Sequence, residues 1–186
     1  MTAEGIRHPE VRAVHSDSVW TRASKDDGEI WERNMIFGMP TFTFVHVLIS
    51  LVAIATGLIV LIGLLTANRM NAMTAVFLAF TAATNLTGFL FPIKTLTPAL
   101  ILGLLSSAVL LLAIAARYGF HLRGAWRPVY VISAVSVVYF NVFVLIVQSF
   151  QKLAALHGIS PNIAQGAALV LFIVSGAAAV MRFRPS

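Results

Sequence analysis

Apolar residues in this chain are gathered into long unbroken runs, and only the first 39 positions are polar throughout. Five runs approach or exceed the roughly 20 residues that a helix needs to cross a hydrocarbon core of about 30 Å. They cover residues 43–65, 72–91, 96–116, 129–150 and 163–181. A barrel strand would show about 10 residues of alternating pattern, so the continuous runs predict helices. Phe91-Pro92 closes the second run, Thr97-Pro98 opens the third and Ser160-Pro161 opens the fifth, each a helix-boundary signal. The fifth run is short and rich in Gly and Ala from Gly166 to Ala179, which admits a re-entrant path, although Arg182 and Arg184 after it read as an interfacial stop.

The expected fold class is therefore all-α. It is a polytopic membrane protein, a compact bundle of five transmembrane helices (residues 41–186) behind a polar tail (residues 1–40). Within the tail, Ser24 followed by Asp27 matches a capping box, and Ile30, Trp31 and Met35 fall at helical spacing. A short interfacial helix is expected there. The residues before it, including His8 and His15, show no period and form no expected element.

Composition changes the solvent. With 59% hydrophobic residues, 11% charged and a mean hydropathy of +0.88, the chain is too apolar for a water-soluble domain. No signal-peptide pattern opens the chain, so targeting is expected to fall to the first span. Zero cysteines exclude disulfides, thiolate nucleophiles and Cys-ligated metal centres.

Charge is divided more sharply still. All seven acidic residues lie in the first 32 positions, and the chain after Arg33 carries eight basic residues and no acidic one. A body without carboxylates lacks the usual groups for intramembrane proton relays, cation sites and hard-metal sites. The basic residues are dispersed, without the clustered stripe that nucleic-acid binding uses. Arg69, Arg117, Arg123, Arg127, Arg182 and Arg184 fall to one side of the expected topology, against only Lys94 and Lys152 in the loops of the other. The positive-inside rule then places the N-terminus outside and the C-terminus in the cytoplasm of a bacterial inner membrane.

Candidate chemistry follows from helical spacing. His46, Ser50, Ala53 and Gly57 form one small or polar stripe on the first span, and Thr74, Thr81, Asn85 and Gly88 form another on the second. On the fourth span Asn141, Leu145, Gln148 and Lys152 share a face, flanked by Tyr139 and Phe140. In the expected topology His46, Asn85, Asn141, Gln148 and Lys152 gather towards the outer side as a ligand-binding candidate. The opposite side carries a basic aromatic loop of Tyr118, His121, Arg123, Trp126 and Arg127.

Four readings of the outer residues compete. The plainest makes them interhelical hydrogen bonds. A haem b site would need axial ligands at matching depth, for which His46 and His157 are the same-side pair. A quinone or lipid-headgroup site would place His46, Asn85 and Gln148 beside an apolar slot. A permeation pathway for a neutral or anionic solute is the fourth. No nucleophile with a base, no HExxH and no phosphate-cradling glycine loop supports an enzyme.

Three strings, Thr87-Gly88-Phe89-Leu90-Phe91-Pro92, Gly124-Ala125-Trp126-Arg127 and Tyr139-Phe140-Asn141-Val142-Phe143-Val144, resemble those of small bacterial multi-pass membrane proteins of uncharacterised function. The resemblance covers residues 44–156 and implies no activity or cofactor. The expected function is a non-enzymatic binding or accessory subunit. Its expected partners are membrane lipids and a protein docking on the tail near Trp20 and Trp31.

Overall fold

The computed structural model describes residues 35–36, 39–91, 98–152 and 160–184. The chain divides into two units, residues 1–44 and 45–186. In the first, β1 (Met35–Ile36) pairs antiparallel with β2 (Met39–Pro40). This extended pairing corrects the expectation of helix at Met35; Ser24, Asp27, Ile30 and Trp31 lie outside the described residues.

Five helices follow: α1 (Thr41–Leu65), α2 (Asn71–Phe89), α3 (Pro98–Ile114), α4 (Trp126–Lys152) and α5 (Pro161–Arg182). All five are long and apolar enough to cross a membrane once α3 is extended through Gly119, and the chain is a multi-pass membrane protein. That extension is a π-turn, Ala115–Gly119, in which the Phe120 amide bonds the Ala115 carbonyl at 2.9 Å. Pro161 stands at the start of α5, where its missing N–H is not needed. The fifth run is thus a regular 22-residue helix, with no re-entrant break.

In lipid the helices sort by what covers them. α4 is the central element, with Tyr130, Val131, Ala134, Val135, Val137 and Val138 all buried. It packs against α3 on one side and α5 on the other, while α2 packs against α3. Val170, Leu171, Ile173 and Val174 on α5 point outward, as side chains bathed in acyl chains do.

Small residues bring α1 in. A Cβ on Gly57 would stand 2.9 Å from the Phe77 ring of α2 and 3.0 Å from Val138 of α4, so the bare backbone is what lets three helices meet. On α5, a Cβ at Gly176 would lie 3.4 Å from Val135, an ordinary van der Waals contact with α4.

Candidate functional site

The polar side chains singled out by spacing are separated rather than gathered, and α2 connects them. Thr87 on α2 meets His46 on α1, its Oγ1 lying 2.7 Å from the imidazole Nδ1. Asn85 Nδ2 donates to Ser106 Oγ on α3 at 3.3 Å. Asn141 Nδ2 on α4 donates to Thr81 Oγ1 at 3.4 Å, with both residues buried. One helix thus carries a hydrogen bond to each of three neighbours, and it is also the least hydropathic of the five. A polar group in hydrocarbon must find a partner, and these three do so across helices.

The His46 contact favours one tautomer. Thr87 Oγ1 also lies 2.7 Å from the Ala83 carbonyl one turn back, and its single hydrogen serves that acceptor. His46 Nδ1 is then the donor, and Nε2 keeps its lone pair. Phe91 stacks edge-on against the imidazole with centroids 5.2 Å apart, and the Cβ position of Gly88 is 3.7 Å from its Cε1.

Other expected members stand elsewhere. Gln148 and Lys152 lie on the face of α4 that holds Asn141 but are exposed. Among the described residues no hydrogen bond joins His46, Asn85, Asn141, Gln148 or Lys152 to one another. His157, the expected second haem ligand, lies outside the described residues, as do His8, His15 and Lys94. No group of three or more His, Asp or Glu side chains gathers at metal-binding distance among the described residues.

Two further features carry chemistry. Between α4 and α5 a surface cleft of about 230 Å³ is lined by Val135, Ser136, Tyr139, Leu169, Phe172 and Gly176. Its aromatic wall is built around Tyr139, whose ring centroid lies 5.8 Å from those of Phe140 and Phe172 and 6.0 Å from that of Phe143.

The second feature was not singled out by spacing. Arg117 sits inside the π-turn and is 8% exposed, although the body holds no carboxylate to pair with it. Its Nη2 donates to Asn71 Oδ1 at 2.6 Å and to the Arg69 carbonyl at 3.2 Å. Its guanidinium carbon lies 5.1 Å from the Tyr130 ring centroid and 5.8 Å from that of Tyr118, within cation–π range. Arg117 Nη1 and Tyr130 Oη are both buried without a hydrogen-bond partner. An unmet buried donor costs about 1–3 kcal/mol, and more when charged.

The loops around Arg117 are unusual as well. Among the described residues, the non-glycine positions with left-handed backbone are Ala67, Met70, His121 and Leu122. All four flank Arg117, two in the connection before α2 and two in the connection after the π-turn, and such conformers concentrate where structure holds them for a purpose. Arg127 closes the same end, its Nη1 donating to the Phe183 carbonyl at 2.6 Å.

The fold and these contacts define a helical multi-pass membrane protein whose polar side chains join its helices. No protein-family model, curated protein or solved structure matches the chain.

Proposed function

We propose that this protein is a non-enzymatic accessory subunit of a bacterial inner-membrane complex, oriented with its N-terminus outside and acting by binding other membrane components. The α4–α5 cleft carries this reading. Gly176 in its lining presents no side chain to a neighbouring helix, and Tyr139 and Phe172 give that helix an aromatic wall. The occupant proposed is a transmembrane helix of a partner subunit, with the acidic tail around Trp20 and Trp31 as a second contact outside the membrane. His46, Asn85 and Asn141 spend their hydrogen bonds within the chain, which supports a structural part for them.

The test is purification in mild detergent. A membrane partner is expected at fixed stoichiometry, weakened by deleting residues 1–38 and lost when Gly176→Leu fills the cleft without unfolding the chain. A partner unaffected by either change, or solute flux through the isolated chain that depends on Asn141, would overturn the proposal.

A second reading, a redox subunit holding haem b or a quinone, rests on the Thr87 contact of His46 Nδ1, which would leave Nε2 with a lone pair for a ligand. A Soret band or a co-purifying quinone that disappears in His46→Phe would establish it.

A further inference from the structure

We propose that Arg117 and Tyr130 form a binding site for a phosphate oxyanion at the arginine-bearing end of the helices, independent of the accessory-subunit reading. The starting observation is a charge without a counterion. Arg117 is buried, and every acidic side chain of the protein precedes Thr41. No described residue is acidic, so no described side chain supplies Arg117 with a counterion.

The unpartnered atoms have the chemistry an oxyanion needs. Nη1 is a charged donor and Tyr130 Oη a neutral one, both buried and both lacking an acceptor. The guanidinium is oriented from its other edge, where Nη2 is held by Asn71 and by the Arg69 carbonyl. A guanidinium fixed along one edge presents the other as a fork, the geometry suited to two oxygens of one phosphate.

Position favours phosphate in particular. Arg117 lies two residues from the end of the apolar stretch Leu100–Gly119, at the depth where a bilayer carries its headgroup phosphates. Arg69 and Arg123 are exposed on the two adjacent connections and add positive potential around the entrance. Tyr118, half exposed, lies beside the guanidinium on the outer side of the turn.

Stapling alone leaves this arrangement unexplained. A single Nη2 suffices to tie the α1–α2 connection to the π-turn; the guanidinium also lies against the Tyr130 ring, yet Nη1 and the phenol hydroxyl are left without a well-formed hydrogen bond. The phosphate belongs either to a phospholipid headgroup or to the dissolved ion, and the test separates these sources.

The full chain is purified in a phosphate-free detergent and compared with Arg117→Lys, which keeps the charge but loses the fork, and Tyr130→Phe, which keeps the ring but loses the hydroxyl. Phosphatidylglycerol, a phosphate-free galactolipid and inorganic phosphate are added separately. Native mass spectrometry and thermal unfolding are the readouts. The wild-type chain is expected to retain phosphatidylglycerol over the galactolipid and to gain on the order of 5 °C. Each variant is expected to bind about tenfold more weakly. A matching gain with inorganic phosphate assigns the site to the dissolved ion, and a gain with the lipid alone assigns it to the headgroup. Equal retention and equal unfolding temperatures for wild type, Arg117→Lys and Tyr130→Phe under all three additions would overturn the proposal and leave Arg117 a structural tie.

Discussion

Asn141 on α4 donates its amide hydrogen to Thr81 on α2 inside the packed helices, joining residues 60 positions apart. Neither has water to fall back on. Thr81→Val should destabilise the protein by about 0.5–2 kcal/mol by orphaning the Asn141 amide. Adding Asn141→Leu should cost less than the sum of the two single changes. Additive losses in a double-mutant cycle would show the two side chains to be energetically independent.

Gly57 gives a steric prediction. Because a Cβ there would press on Phe77 and Val138 at once, Gly57→Val should cost about 1–3 kcal/mol and lower the unfolding temperature in detergent. Gly166, with nothing within 4 Å of its Cβ position, is the control. Gly166→Ala should leave that temperature unchanged or raise it slightly.

The tautomer assigned to His46 has its own consequence. Thr87→Val removes the acceptor of Nδ1–H and should be as destabilising, within about 0.5 kcal/mol, as His46→Phe. A far larger loss in His46→Phe alone, accompanied by loss of a bound chromophore, would mean that Nε2 holds a ligand.

Orientation can be read chemically, since the chain has no native cysteine. Ser24→Cys should react with a membrane-impermeant maleimide added to spheroplasts, and Arg184→Cys only after permeabilisation. The reverse pattern would invert the proposed topology and move the arginine end to the outer face.

The C-terminal end of α5 is held from one side. Arg127 Nη1 bonds the Phe183 carbonyl, and the Phe183 ring is fully buried 6.2 Å from Tyr130. Phe183→Ala should cost about 3–5 kcal/mol. Protease access to the chain after Met181 should rise in parallel, and unchanged protection would show that the ring contributes little.

The five spans were legible because lipid imposes a simple demand, an apolar run of sufficient length, and each helix begins and ends within three residues of its expected position. α4 starts earlier, at Trp126, since Pro128 is tolerated in a first turn and Arg127 finds the Phe183 carbonyl. The facing stripes were legible too: Gly57 does meet α2, and Gly88 does lie beside His46.

The grouping of polar residues was not. Spacing places Asn141 and Gln148 on one face of α4, but it cannot tell that the first is buried and the second exposed. Arg117 escaped notice for a different reason. A basic residue at the end of an apolar run reads as a loop charge, and only the π-turn, which no periodicity announces, carries it inside against Tyr130.

The hydrogen bonds of α2 also set a timetable. Thr81 is synthesised 60 residues before the Asn141 amide that satisfies it, which at 5–20 residues per second is a delay of roughly 3–12 s. During that interval the least apolar of the five helices stands in the membrane with its fourth-helix partner still unmade. Until α4 is made, the Thr81 hydroxyl is without its Asn141 donor.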